Sequence, residues 1–230
     1  MVFIKAQSGP PNCGDSDKLF TVQYFDEQGN MTIRGGGSRA WRCNNPGNLR
    51  SSKYSTSAQR RSIGVAGDGE DEYAVYPDYE TGHEALVVML KGGIYSALTL
   101  REAMKRYDST NPKYIDTIVE KTGFDPERKV KSLNDKEFEK FWWAIEDTEK
   151  WKVGREDFIE KWVITGVHLK RGVISEYCIR QNGNDVWISK QEAINLAQEC
   201  RIHAIVVHCL NGTIYLRPEY HAKRFREMVC

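Results

Sequence analysis

The stretch RCNNPGNLR, residues 42–50, concentrates three asparagines, a proline and a glycine between two arginines. Asparagine tolerates left-handed backbone and bonds its own main chain, so Asn44 to Asn48 predict a tight turn. Three side-chain amides in five positions are more than one turn requires. A spare amide offers a donor and an acceptor together, the pair that recognises the N-acetyl and hydroxyl groups of sugars. The stretch therefore suggests a turn that also borders a sugar-binding site.

The length and charge of the chain set broad limits. Its 230 residues allow one large domain or two small ones, with 40% hydrophobic and 28% charged residues. The 33 basic and 32 acidic residues leave a net charge of +1, which does not indicate binding to nucleic acid. No apolar run approaches the ~20 residues that span a bilayer, so no membrane insertion is expected.

The cysteines do not form a recognisable framework. The chain has six, without a CxxC pair and without zinc-finger spacing to histidine. No phosphate-binding glycine loop follows a predicted strand. The sequence therefore predicts no metal and no cofactor, and it favours free thiols over disulfides.

The hydrophobic pattern predicts two folded domains after a flexible lead-in at residues 1–18. Residues 19–34 are typical of a β-hairpin. The pattern is helical from a predicted cap at Thr81, with Glu84 three residues later, to about residue 162. The segment 134–151 begins with Asn134 as a cap and Glu137 three residues later, and it aligns Phe138, Phe141, Trp142 and Ile145 on one face. The first domain is therefore predicted at 19–162.

The pattern changes after Trp162. Strand-like runs surround one capped helix near 189–200, and Asn211-Gly212 is typical of a hairpin turn. Residues 163–230 are predicted to form a small ββαββ domain.

Two motifs in order carry a family resemblance. NNPGNLR (44–50), followed by YAVYPDYETGHEAL (73–86), resembles the lysozyme-like domains of phage virion proteins and of type VI secretion effector toxins. The order is also similar to that of flagellar-type N-acetylglucosaminidases. The resemblance covers roughly residues 39–125. Residues 163–218 resemble a small uncharacterised bacterial domain that ends in a YLR strand, and this second resemblance implies no activity.

The resemblance implies an α+β protein: a mostly helical lysozyme-like domain with a small hairpin region, then the ββαββ domain. It implies cleavage of the glycan strands of peptidoglycan between N-acetylmuramic acid and N-acetylglucosamine. That chemistry needs a protonated carboxylic acid beside the scissile oxygen and often a second carboxylate. In these families the acid is a glutamate that ends a helix just before the first motif, and here a hairpin and glycines precede it.

The acidic cluster Asp68, Glu70, Asp71 and Glu72 supplies the candidate acids, because crowded carboxylates raise one another's pKa. We rank Glu72 first, then Glu70, with Glu27 on the predicted hairpin turn as the remaining choice. The predicted substrate-binding residues are Asn44, Asn45, Asn48, Arg50 and Tyr76.

Two other functions remain open on the sequence. Cys43 with His83 would make a peptidoglycan amidase with a thiolate nucleophile. A non-catalytic wall-binding or interaction module would retain the cleft for glycan binding alone. The start of the chain shows no signal-peptide core, so we expect synthesis in the bacterial cytoplasm and delivery to a target periplasm. The expected partners are peptidoglycan, a secretion carrier and a cognate immunity protein.

Overall fold

The structure is a computed structural model that describes residues 2–9, 20–51, 61–67, 69, 71–181, 183–199, 201–209 and 212–218. The chain divides into two units. The first comprises Met1–Glu27 and Thr32–Asp157, and the second comprises Gln28–Met31 and Phe158–Cys230. The sequence predicts a single boundary after Trp162. In the structure the second unit starts at Phe158 and also includes the short segment Gln28–Met31.

A six-stranded mixed sheet organises the first unit. Its order is β5-β4-β1-β2-β3-β6, with β1 parallel to β4 and antiparallel to β2. The strands are β1 (Phe3–Gly9), β2 (Thr21–Asp26), β3 (Met31–Gly35), β4 (Gly64–Gly67), β5 (Glu72–Val75) and β6 (Arg155–Ile159). Strands β2 and β3 lie side by side, as the predicted hairpin requires. Small and aromatic side chains form the core of this sheet: Ala6, Phe20, Val22, Tyr24, Cys43, Ala66, Tyr73 and Val75.

The expectation of a mostly helical first domain is wrong. Among the described residues 35% are helical and 36% lie in strands, and a sheet dominates the fold. Strand β1 falls inside the predicted flexible lead-in, β4 reads GVAG, and β6 reads REDFI within the run predicted as helical. None of these segments alternates apolar and polar residues, so each takes its strand conformation from its neighbours in the sheet.

In the described part of the first unit, six α-helices accompany the sheet, and the last five enclose a second core. They are α1 (Arg39–Arg42), α2 (Tyr79–Lys91), α3 (Gly93–Ala97), α4 (Leu100–Tyr107), α5 (Tyr114–Thr122) and α6 (Asp135–Glu149). Phe138, Phe141 and Ile145 of α6 are buried there and Trp142 is half-buried, on the face that the sequence indicated.

Helix starts follow local capping chemistry. Asn134 and Glu137 form the predicted capping box of α6. Helix α2, however, is capped by Asp78, three residues before the predicted cap Thr81. The Asp78 carboxylate accepts a 2.7 Å hydrogen bond from the Thr81 amide, because an aspartate is as good a cap as a threonine.

The second unit contains one strand more than predicted. Its elements are β7 (Val163–Lys170), β8 (Val173–Gln181), β9 (Asn184–Ser189), α7 (Lys190–Gln198), β10 (Ala204–His208) and β11 (Ile214–Pro218). The first three strands form one antiparallel sheet and the last two form another. The arrangement is βββαββ, because the run 163–181 turns at Arg171-Gly172, both in left-handed backbone. Of the predicted turn Asn211-Gly212, Asn211 lies outside the described residues.

No helix in the described part of the chain is long and apolar enough to cross a membrane.

Candidate functional site

The two sequence motifs meet in space. The amide of Tyr76 donates to the Cys43 carbonyl at 3.0 Å, and the amide of Ala74 donates to the Leu49 carbonyl at 3.0 Å. The loop that contains NNPGN is thereby hydrogen-bonded to strand β5 and to the segment after it. Direct main-chain hydrogen bonds therefore join the two motifs.

Asn44 is a structural member of this loop. Its φ of 49° is left-handed, a conformation that asparagine adopts more readily than most residues. Its side-chain Nδ2 donates to the carbonyls of Tyr76 at 3.1 Å and Pro77 at 3.0 Å, and its Oδ1 accepts 2.6 Å from Arg34. The side chain is buried and every polar atom is used.

Asn45 is saturated in the same way. Its Nδ2 donates to the carbonyls of Leu49 and Ala74, each at 2.9 Å, and its Oδ1 accepts from the Leu49 amide at 2.9 Å. The residue is fully buried. Asn44 and Asn45, predicted to bind substrate, therefore shape the loop and have no free amide for a sugar.

A glycine lets helix α2 approach this loop. A Cβ on Gly82 would lie 1.9 Å from the carbonyl oxygen of Asn44, far inside contact distance. Gly47 is also confined, with Leu86 and the hydroxyl of Tyr107 near its missing Cβ. Tyr107 donates a hydrogen bond to the Gly47 carbonyl. Helices α2 and α4 thus hold the loop from two sides.

A cleft of about 500 Å³ opens beside the loop. We call it the Asn48 cleft. Residues of the loop, of strand β5 and of helices α1, α2, α3, α4 and α6 line it. They are Arg39, Gly47, Asn48, Leu49, Arg50, Asp71, Tyr73, Met89, Tyr95, Arg106, Tyr107, Asp108, Ser109, Thr110 and Glu149.

Glu149, the last residue of α6, places its carboxylate in this cleft. Its Oε2 accepts 2.6 Å from Nδ2 of Asn48, and its Oε1 accepts 2.7 Å from the hydroxyl of Tyr114. Asn48 presents its amide from left-handed backbone with a φ of 46°. Both carboxylate oxygens are thus oriented by donors from separate parts of the fold.

Tyr114 is suited to orient a carboxylate. Burial and the neighbouring Glu149 raise the pKa of Tyr114 far above its usual range, so the hydroxyl keeps its proton and donates. Burial likewise raises the pKa of Tyr107, the residue that holds Gly47. Neutral phenol groups therefore lie next to Glu149 on that wall of the cleft.

Two further carboxylates line the Asn48 cleft. Asp71 forms a 2.6 Å ion pair with Arg50. Hydrogen bonds from the Thr110 hydroxyl and amide lower the pKa of Asp108, at 2.6 Å and 3.0 Å. Among the described residues, three carboxylates therefore line the cleft, those of Asp71, Asp108 and Glu149.

The predicted acids lie elsewhere. Glu72 begins strand β5, is exposed and does not line the cleft. Glu27 is exposed on the turn after β2 and does not line it either. Glu70 and Asp68 lie outside the described residues. Of the acidic cluster, Asp71 is the described member that reaches the cleft.

The predicted binding residues separate into two groups. Arg50 and Asn48 line the Asn48 cleft. Tyr76 does not: its side chain is fully buried in the helical core, and its hydroxyl has no hydrogen-bond partner in the described part of the chain. Burial raises its pKa, as is usual for an apolar site. Tyr76 therefore packs in the helical core, and Asn44 and Asn45 stabilise the loop through hydrogen bonds to its backbone and to the neighbouring segment.

The Cys43–His83 alternative has no supporting geometry. Cys43 is fully buried, and burial raises the pKa of its thiol to about 12, which opposes formation of a thiolate. His83 instead contacts Glu146, with Nδ1 and Oε1 2.8 Å apart. Glu146 also accepts 2.7 Å from Tyr79, and this cluster fastens α6 to α2.

The sequence does not indicate Glu149 as a site residue, because the family resemblance predicts a helix-terminal glutamate before the first motif and Glu149 lies far after it. The segment EDTEKW near residue 149 does end a strongly periodic helix, which was the available signal. What brings this glutamate to the motif is the tertiary fold, since Asn48 and Glu149 are 101 positions apart.

Within the part of the chain that the structure describes, no group of three or more His, Cys, Asp and Glu side chains is arranged to hold a metal. No protein-family model and no curated protein sequence matches this chain.

Proposed function

We propose that the first unit hydrolyses the glycan strands of peptidoglycan, with Glu149 as a catalytic carboxylate. The observation that carries the proposal is the placement of Glu149 in the Asn48 cleft by the motif's own Asn48 amide. The resemblance of the two motifs to lysozyme-like domains supplies the substrate class. The hydrogen bond from Asn48 to the carboxylate of Glu149 supports a catalytic role for that carboxylate.

The hydrogen bonds indicate how Glu149 acts. Charge-assisted bonds from an amide and a phenol are the contacts that an ionised carboxylate makes. Cleavage of a glycosidic bond passes through a transition state with positive charge at the anomeric carbon. The fixed Glu149 carboxylate stabilises that charge or takes a proton from the attacking water. The water oxygen forms the new bond to the anomeric carbon, the bond to the departing sugar oxygen breaks, and that oxygen takes its proton from solvent water in the cleft, which Asp71 and Asp108 also line.

The walls of the cleft suit a saccharide. A volume of about 500 Å³ lies within the range of roughly 300–1,000 Å³ that is usual for ligand sites. Tyr95 contributes a half-buried ring of the kind that packs against the apolar faces of sugars, and Ser109 and Thr110 contribute hydroxyls. The site combines stacking surface, hydrogen-bonding groups and carboxylates.

The direct test mixes the full chain with purified sacculi and identifies the new ends. New reducing ends support the proposal. New free amines without reducing ends would replace it with an amidase. Co-sedimentation with neither product would replace it with the wall-binding module.

The substrate class implies action outside the cytoplasmic membrane. We propose that a secretion carrier brings the protein to the periplasm of a target cell and that a cognate immunity protein protects the producer. The type VI resemblance of the motifs motivates this part of the proposal, and a toxicity experiment below tests it.

A further inference from the structure

Three arginines of the described chain line the Asn48 cleft: Arg39 of α1, Arg50 at the end of the first motif, and Arg106 of α4. Arg50 is matched by its 2.6 Å ion pair with Asp71. Within the described part of the chain, Arg39 and Arg106 form no ion pair with a carboxylate. The cleft therefore presents two cationic groups without a matching anion of its own.

Neutral aromatic rings hold both of these arginines. The guanidinium of Arg39 lies 3.9 Å from the centre of the Tyr73 ring, and its Nη1 donates 2.5 Å to the Tyr73 hydroxyl. The guanidinium of Arg106 lies 6.0 Å from the centre of the Tyr95 ring. Stacking on an aromatic face restrains a guanidinium without neutralising it, so each keeps its charge for another partner.

The carboxylates of the same cleft do not neutralise these arginines. Glu149 is bonded by Asn48 and Tyr114, and Asp108 is bonded by Thr110. Every one of these donors is a neutral group. Apart from the Arg50–Asp71 pair, opposite charges in the described part of the cleft line it without pairing, which is the arrangement expected where a ligand brings an anion of its own.

We propose that Arg106, together with Arg39 of the same cleft, binds a carboxylate substituent of the substrate, so that the cleft selects amino-sugar strands that carry carboxyl groups over neutral ones. Arginine recognises a carboxylate through two parallel N–H donors, which gives both charge and geometry. This inference rests on the proposed function only in that a glycan occupies the Asn48 cleft. It assigns specificity to arginines and makes no claim about bond cleavage.

The test measures binding and so does not depend on turnover. Three ligands are titrated calorimetrically into the full-length Glu149→Gln variant: a disaccharide-peptide fragment of peptidoglycan, the same fragment with its carboxyl groups converted to amides, and a neutral N-acetylglucosamine oligomer. Arg106→Ala is compared with Arg101→Ala. Arg101 is an exposed arginine of the same helix that is ion-paired with Glu127 and does not line the cleft.

We expect Arg106→Ala to weaken binding of the acidic fragment about tenfold and to leave the amidated fragment and the neutral oligomer unchanged. Arg106→Lys keeps the charge and recovers part of the loss, and Arg101→Ala binds as the parent does. Equal affinity for the acidic and amidated fragments, or an unchanged affinity of Arg106→Ala, overturns the inference, as does failure to bind any of the three ligands. Charge-dependent binding in a chain whose wild type releases no reducing ends would leave the inference standing while the proposed hydrolysis fell.

Discussion

The side-chain amide of Asn48 donates a 2.6 Å hydrogen bond to the carboxylate of Glu149, joining the turn of the first motif to the last residue of helix α6. The remaining asparagines of the motif, Asn44 and Asn45, bond the backbone around them. The turn therefore uses two amides to keep its shape and offers the third to a carboxylate in the cleft.

The role of Asn48 can be separated from its backbone conformation. Asn48→Gly retains the left-handed turn but removes the donor to Glu149, so we expect stability within about 1 kcal/mol of wild type. We expect its turnover of sacculi to fall about tenfold or more, because an unrestrained carboxylate loses its orientation. Asn48→Asp places a like charge beside Glu149 and should lose more. Wild-type turnover by Asn48→Gly, measured beside its melting curve, would show that the amide serves only the turn.

The packing of α2 on the loop predicts a strong effect at Gly82. Gly82→Ala places a Cβ 1.9 Å from the Asn44 carbonyl oxygen, and this overpacking should destabilise the protein by roughly 1–3 kcal/mol or more. Gly93→Ala is the matched control. Its Cβ meets nothing within 4 Å at the first residue of α3, so it should be neutral or slightly stabilising. Chemical denaturation measures both, and equal midpoints for the two variants would contradict the close approach.

The His83–Glu146 contact predicts a pH-dependent contribution to stability. The hydrogen bond to Glu146 is the main cause that raises the pKa of His83 above its ordinary value of about 6.5. A raised pKa in the folded state means that this stability is fully present below the unfolded value and is lost as pH rises through the folded one. The difference in free energy of unfolding between wild type and Glu146→Gln should therefore shrink from pH 6 to pH 9.

The expected change is no more than about 1 kcal/mol, because the pair is partly exposed. Urea denaturation at several pH values measures it. His83→Gln removes the titrating group and should abolish the pH dependence of that difference. A difference that stays constant or grows with pH would rule out a charged His83 as its source.

Delivery to the periplasm predicts toxicity that depends on compartment. We expect expression in the bacterial cytoplasm to leave growth unchanged, whereas the same chain with an attached export signal should lyse or round up its host, because peptidoglycan lies outside the membrane. An immunity protein encoded beside it should relieve the effect. Growth curves and microscopy provide the measurement. Equal toxicity with and without the export signal would mean that the target is cytoplasmic.

Local rules predicted much of the helical part of the fold. Asn134 and Glu137 mark the start of α6, and the aromatic spacing after them places Phe138 and Phe141 in the core. These features depend on contacts within four residues along the chain. The same reasoning missed strand β1, which contributes one buried side chain, Ala6, and is ordered by pairing with β2 and β4.

The candidate site was harder to predict than the helices. The sequence predicts a site beside the turn of the first motif and favours Glu72 as its acid, because Glu72 is close to the motifs along the chain. Glu72 projects from an exposed position on β5, whereas Glu149 reaches the cleft from the end of α6. The hydrogen-bond donors around a carboxylate fix its orientation. Asn48 and Tyr114 come together around Glu149 only when the chain folds.

The most direct measurement of the central claim is the rate at which reducing ends form when sacculi are incubated with Glu149→Gln. The substitution keeps the shape of the side chain and removes its charge, so the account predicts a loss of at least ~10²-fold with a nearly unchanged melting temperature. Glu139→Gln, at an exposed position of the same helix, is the matched control and should retain wild-type turnover. Wild-type turnover by Glu149→Gln, or a loss confined to Glu72→Gln, Glu70→Gln or Glu27→Gln, would contradict the account.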